Sequence, residues 1–423
     1  MTVPSLAPRA ARVIVVGGGP AGAASAWALA SLGHEVLILD RARFPRDKAC
    51  AEYLSPQASR VLHAMGVLGD VERAGAAQLA GMTVRAPDGG IIHGEFAARH
   101  GFTAFRDRGL ALRRRRLDPI LLDGARRAGA QLREGVAVHD LERNAHGDVC
   151  GVWVRDAQGG AQRLRADLVI GADGLRSVVG RRLGVAAHLG WPFPRRVAFV
   201  AHWRGVQGVG AHGEMHVERD GYVGIADVGH GEVNVAIVVP RGRARDAAGD
   251  AAGFMDRWLA RRPQLAPRFA GAARVTPVRA TGPFAARATR AWAPGALLAG
   301  DAADFFDPFT GEGIYAALRG GELLAPFAAD ALRASGRGAR LRALAAYDGA
   351  RRREFGGKWL VERLIGTAVA VPALMNHAAR TLGARRDMAD LLVGVTGDIV
   401  PAREVLRPGF LLRLLAPPLR RAP

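Results

Sequence analysis

Unbroken apolar runs that end in glycine mark the first part of the chain. Val13-Ile14-Val15-Val16 leads into Gly17-Gly18-Gly19-Pro20-Ala21-Gly22, and a small-residue pattern with helical character follows. Four apolar residues bounded by glycine predict a strand buried on both faces. A second such run, Glu35-Val36-Leu37-Ile38-Leu39, closes on Asp40. Residues 56–76 and Leu117 to Ala128 have helical spacing, the second with Leu117, Ile120, Leu121 and Ala125 on one face. Met82 to Arg85 and Gly90 to Gly94 read as strands around the turn Pro87-Asp88-Gly89-Gly90. Val136 to Val138 is a short strand, and Val149 to Val154 with Gln162 to Leu164 predicts a hairpin around Gly159-Gly160. Leu168-Val169-Ile170 is a buried strand that runs into Gly171-Ala172-Asp173-Gly174.

From about residue 183 the pattern changes. Strand-like runs at 197–201, 214–217, 222–225 and 233–239 are separated by glycine-rich turns and predict one antiparallel sheet, and residues 252–270 predict a helix in a cap. Ala296-Leu297-Leu298-Ala299 returns to the buried-strand pattern before Gly300-Asp301, and the chain is mostly helical from 313 onward. The fold class expected is therefore α/β: a Rossmann-like domain interrupted by an antiparallel β-sheet domain, with a helical C-terminal region. The boundaries expected are 10–75, 100–182 and 276–340 for the first domain, 76–99 and 183–275 for the sheet domain, and 341–423 for the helical region.

The opening unit carries specific chemistry. Gly17 permits a tight turn, Gly19 lets backbone approach a pyrophosphate, and Gly22 lets the helix lie against the strand. Pyrophosphate charge is favoured at a helix N-terminus. Asp40 stands 18 residues after Gly22, where an acid can accept hydrogen bonds from a ribose. Strand, turn, helix and acid coincide, which points to a bound dinucleotide.

Composition adds little to this and excludes some classes. The net charge of +20 comes almost wholly from arginine, because lysine occurs only at 48 and 358. The arginines are spread along the chain with no recognition motif, so nucleic-acid binding is not expected. Two cysteines, Cys50 and Cys150, in 423 residues do not make a disulfide framework and fit a reducing compartment. Residues 1–12 have no apolar signal core and no run reaches bilayer length, so a cytoplasmic location is expected. The apolar and basic run Val405 to Leu415 reads either as a docked terminal helix or as a peripheral membrane contact.

Three separated motifs together resemble the superfamily of FAD-dependent aromatic hydroxylases and geranylgeranyl reductases, over roughly residues 10–410. They are Gly17 to Gly22 with Asp40, Gly171-Ala172-Asp173-Gly174-Leu175-Arg176-Ser177, and Leu297-Leu298-Ala299-Gly300-Asp301-Ala302-Ala303. The resemblance implies FAD held by Gly17, Gly19, Pro20, Ala21, Gly22, Asp40, Arg41, Lys48, Arg114, Val138, Asp173, Gly300, Asp301, Pro308, Gly311, Glu312, Gly313 and Ile314. Arg114 is the residue implied at the pyrophosphate, with Arg113, Arg115 and Arg116 leaving its register open by one. Asp301 is implied at the ribityl chain. The loop Asp307 to Gly313, with Pro308 beside the flavin ring, leads into helix amides that stabilise negative charge. The segment Lys48-Ala49-Cys50-Ala51-Glu52 resembles the Lys-x-Cys-Gly-Glu element of the reductase branch, with Ala51 in place of glycine. There the cysteine approaches the flavin, so Cys50 and Pro308 are the catalytic candidates. Cys50 reads equally as a small buried packing residue. No residue is assigned to a metal.

No second Gly-x-Gly-x-x-Gly follows a strand, so NAD(P)H is expected as a transient reductant over the flavin. The leading expectation is an NAD(P)H-dependent monooxygenase that uses O₂ to hydroxylate a phenolic or polyketide-type small molecule. A base for the phenol would come from His202, His212 or His216, each of which reads more simply as a surface or strand histidine. The alternative is a flavin-dependent C=C reductase of a hydrophobic, prenyl-like substrate. The Cys50 and Gly311 segments favour it, and the lack of the expected aromatic residue near Gly224 opposes it. A flavin-binding electron-transfer protein is the third reading, and the large inserted sheet argues against it. Halogenation is not expected, because a Trp-x-Trp-x-Ile-Pro signature is absent.

Overall fold

The computed structural model describes residues 12–98, 100–155, 160–188 and 195–416. Its first half is built on a six-stranded sheet ordered Trp292–Ala293, Ala296–Leu298, Leu168–Gly171, Arg12–Val16, Glu35–Asp40, Gln131–Glu134. All neighbours are parallel except the first pair. Val13, Ile14 and Val15 have no exposed surface, as a strand covered on both faces requires. Helix Pro20–Ser31 covers this sheet and is itself buried nearly all round. Its small residues have a reason: helix Gly313–Arg333 packs on its outer side so closely that a Cβ on Gly321 would lie 2.7 Å from the Ser25 amide. The predicted hairpin is present as Val149–Arg155 against Ala161–Arg165, with Ala137–Arg143 as a third strand. Gly159 of its turn lies outside the described residues.

The inserted sheet runs Ala273–Arg274, Arg196–Arg204, Val233–Pro240, Gly221–Asp227, His212–Glu218, Gly81–Arg85, Ile91–Glu95. It departs from the expectation in one respect. Gly81–Arg85 pairs with His212–Glu218 in parallel, so the sheet is not wholly antiparallel. Those strands come from segments separated by a long excursion through the first domain, and nothing local constrains their direction. The sheet also continues beyond residue 275, because Arg279–Thr281 pairs with Arg196–Arg204.

Period-two alternation divides this sheet into two faces. Phe199, Ala201, Val235 and Ile237 pack outward under helix Ala251–Ala260, with Phe254, Met255 and Trp258. The cap is two short helices where one was expected, since the first ends near Pro263 and Ala266–Phe269 follows. Ala198, Val200, Ala236 and Val238 face the other way, toward the first domain. The C-terminal helices Arg337–Ala370, Pro372–Gly383, Arg386–Thr396 and Pro408–Leu415 close that side. Among the described residues no helix is long and apolar enough to cross a membrane.

Candidate active site

The opening turn forms an anion-sized concavity. Gly17 has φ +102°, and a Cβ there would lie 2.4 Å from the Ala172 carbonyl. A Cβ on Gly22 would meet the Gly17 carbonyl at 1.8 Å, so helix and strand touch as the motif demands. Around Gly19 the space is open, and the nearest atoms are the guanidinium nitrogens of Arg114 and Arg46, at 3.5 and 3.9 Å from that virtual Cβ. Asp118, fully buried, holds both cations: Arg114 donates to its two oxygens at 2.6 and 2.9 Å, and Arg46 lies 3.1 Å away. Asp40 accepts from the amides of Gly18 and Ala42, each at 2.8 Å. Backbone amides at a helix start, flanked by two guanidinium groups, suit a pyrophosphate.

The loop before helix Gly313–Arg333 is fixed from the sheet. Asp307 accepts from Arg196 at 2.5 Å, from the Tyr222 hydroxyl at 2.6 Å and from the Phe309 amide at 3.1 Å. Burial and then the Asp307 charge push the Tyr222 hydroxyl well up, so it stays a donor. Gly311, at φ +74°, lets the Tyr53 ring lie where a Cβ would stand. Glu312 is buried against Lys358 at 3.1 Å, and Lys358 also pairs with Asp398. Burial pushes the Glu312 carboxyl up, and Lys358 offsets part of that.

Between these elements and the sheet lies a cavity of about 180 Å³. Gly19, Arg114, Lys48, Cys50, Asp301, Pro308, Gly313 and Ile314 wall it on one side, and Ala198, Val200, Met215, Tyr222, Ala236 and Phe284 on the other. Burial pushes the Cys50 thiol up, although the Arg114 guanidinium pulls the other way. Burial, and then Arg114, push the Lys48 ammonium down. Behind Cys50 stands a buried polar cluster. Glu52 accepts from the Arg114 amide at 2.8 Å, from Asn234 at 3.1 Å and from His202 Nε2 at 2.6 Å. Asn234 also donates to the Cys50 carbonyl at 2.9 Å.

A scan against known families matches residues 10–356 to the FAD binding domain family. The chain belongs to this FAD-binding family. It is 32% identical to digeranylgeranylglycerophospholipid reductase 2 of Methanopyrus kandleri over 72% of this chain and 74% of that one. It is 30% identical to the menaquinone reductase of Mycolicibacterium smegmatis, covering 74% and 75%. The structure of the myxobacterial chondrochloren halogenase CndH superposes with a TM-score of 0.74 at 25% identity, covering 90% of this chain and 91% of that one. The chain spans only part of other curated relatives: 62% of conditioned medium factor receptor 1 of Dictyostelium discoideum and 54% of the Mycobacterium tuberculosis menaquinone reductase.

The fold brings most of the sequence-predicted residues to one cavity, but not all. Arg41 is exposed, and Arg46 takes the place beside Gly19. Asp173 turns away: it accepts from Ser177, Val178 and Val179 and so holds the start of helix Val178–Arg182. Val138 is buried in strand pairing with Val154, and Gly300, at φ +58°, packs on Ala21. None of the three candidate histidines lines the cavity. His202 is buried, bonded through Nε2 to Glu52 and through Nδ1 to Thr276. His212 and His216 pair with Glu95 and Glu214 on the opposite sheet face.

Glu52 and Asn234 were missed, though a signal was present. His202 and Asn234 sit opposite each other in register, in phase with the inward residues Ala198, Val200, Ala236 and Val238. Alternation alone places both on the cavity face. The Ala51 substitution also has an outcome: the left-handed residue of this turn is Glu52, at φ +64°.

Proposed function

We propose that this flavoenzyme reduces a carbon–carbon double bond in a long hydrophobic substrate, with NAD(P)H as the transient reductant. The observation that carries this reading is a second cavity of about 160 Å³ that shares Met82 and Met215 with the first. It lies between the sheet and the C-terminal helices. Its walls, which include Val84, Ile92, Val361, Ile365 and Leu382, are apolar apart from Thr310 and Thr396. The two methionine thioethers lie over Gly213 and Gly224 of neighbouring strands. Flexible, unbranched side chains suit a passage that admits an extended apolar chain. The reductases among the relatives support the same reading.

In this proposal Gly19, Pro20 and Ala21, with Arg114 and Arg46, hold the pyrophosphate of FAD. Asp301 and Lys48 flank its middle, and Pro308 with the amides of Gly313 and Ile314 meets the ring. Bound FAD supplies the hydride. The balancing proton comes from Cys50, which stays a thiol at neutral pH because burial raises it. It adds to the carbon that does not take the hydride. The thiolate left behind is held beside Arg114 and recovers a proton from water at the open mouth. The Glu52–His202–Asn234 cluster positions the Cys50 turn. The cavity excludes most water, and the sheet face orients the chain.

Hydroxylation, placed first on sequence grounds, is the second reading. Tyr222, Phe284 and Phe305 give the flavin-side cavity an aromatic wall that suits a phenol. One comparison separates the two. Protein reduced without oxygen should be reoxidised by an unsaturated isoprenoid, with the flavin absorbance returning. Reoxidation only when O₂ and a phenol are present, with oxygen found in the product, would replace reduction with hydroxylation.

A further inference from the structure

The sheet face turned away from the flavin cavity carries a cluster that the redox chemistry does not use. His93 and Glu95, two residues apart on edge strand Ile91–Glu95, project on that face. His212 lies two strands away, in line with Glu95 across Gly81. Glycine at 81 leaves no side chain between them, so His212 reaches over it. His93 Nε2 and His212 Nε2 both come to one Glu95 oxygen, at 3.1 and 3.0 Å. The two imidazoles are 4.5 Å apart between ring centroids.

We propose that His93, Glu95 and His212 form a zinc-binding site. Two imidazoles and a carboxylate are a zinc donor set that leaves a fourth corner for water. Bonds of about 2.1 Å at tetrahedral angles set donors about 3.4 Å apart, so each histidine–Glu95 contact needs to open by only a few tenths of an ångström, and the three donor atoms already lie within 4.8 Å of one another. An outer partner is in place as well: Thr83 Oγ lies 3.0 Å from His93 Nδ1, and by accepting from it leaves the Nε2 lone pair free for the metal. Arg386 approaches the same Glu95 oxygen at 3.4 Å but is also held by Asp390, so it can yield to the ion. A bound zinc ties the edge strand to His212–Glu218.

The test is a titration of the flavin-loaded protein, stripped of metal by chelator, with zinc chloride against a chromophoric zinc chelator. One zinc per chain is expected. Thr83→Val should weaken it about tenfold, as loss of an outer-shell partner does. The double variant His93→Ala, His212→Ala should lose it while keeping the flavin absorbance spectrum, which reports that the fold survives. Should that variant fail to fold, Glu95→Gln serves in its place. Absence of saturable binding by the wild type, or an isotherm that the variant leaves unchanged, overturns the site.

Discussion

Glu52→Ala removes the acceptor on which three buried donors converge: the Arg114 amide, His202 Nε2 and Asn234 Nδ2. Glu52 is 1% exposed, so water does not take its place without rearrangement. A buried donor left without a partner costs about 1–3 kcal/mol, and Asn234 keeps its bond to Cys50. Counting the other two fully gives a loss of about 2–6 kcal/mol. The Arg114 amide also opens helix Arg114–Arg127, where a carboxylate contributes about 0.3–1 kcal/mol against the helix dipole. Glu52→Gly loses the same bonds but relaxes a left-handed backbone that costs a residue with Cβ roughly 1 kcal/mol. Urea unfolding of the flavin-loaded protein should therefore rank wild type above Glu52→Gly, and Glu52→Gly above Glu52→Ala. A loss below about 1 kcal/mol for Glu52→Ala would mean that the three donors find other partners. Glu52→Ala matching or exceeding Glu52→Gly would mean that the left-handed backbone there carries no such cost.

Three further outcomes are expected. Arg46→Ala should weaken FAD binding about tenfold or more, read by fluorescence of released flavin, since a charge-assisted bond contributes about 1.5–3 kcal/mol; unchanged retention would leave Arg46 outside the phosphate site. Burial raises the Glu214 carboxyl, but its bonds from Arg268 and His216 outweigh that and hold it below the ordinary 4.5. A depressed carboxylate stabilises the fold above its unfolded-state value and loses this as pH falls through the folded one. The stability gap between wild type and Arg268→Gln should accordingly be full near neutrality and close below about pH 4.5, and a gap constant to pH 3 would contradict it. On helix Pro408–Leu415 Phe410 is buried while Leu412 and Leu415 are 68% and 69% exposed. If that surface meets lipid, the protein should float with anionic vesicles and Leu412→Ser, Leu415→Ser should not; wild type left in the soluble fraction removes the contact.

How much of this was legible varies with the range of the interaction that decides each feature. The Val13 to Gly22 unit was readable because strand, turn and helix are contiguous and each glycine answers a local clash. The strands at 197–201 and 233–239 were readable as apolar runs between glycine-rich turns, but their two faces were not, because both runs are apolar on either side and only the packing separates inner from outer. The parallel pairing of Gly81–Arg85 was not, because it depends on how two distant segments meet. Asp173 was placed toward the flavin by its motif, whereas its local geometry is a capping turn with Ser177. Arg41 lost its expected place to Arg46 because the chain bends after Asp40, and only the folded path shows which guanidinium returns to Gly19. The second cavity has no sequence signature, since it is made jointly by sheet residues and the C-terminal helices.

In the proposed reaction FAD held at the Gly19 turn delivers a hydride to an alkene lying in the apolar cavities. Product mass tests it most directly. Flavin-loaded protein, reduced and kept free of oxygen, is mixed with a polyunsaturated isoprenoid, and the extract is analysed by mass spectrometry. Hydride transfer gives a product heavier by two hydrogens and carrying no new oxygen. Recovery of unaltered isoprenoid from fully reduced, flavin-loaded protein would contradict it.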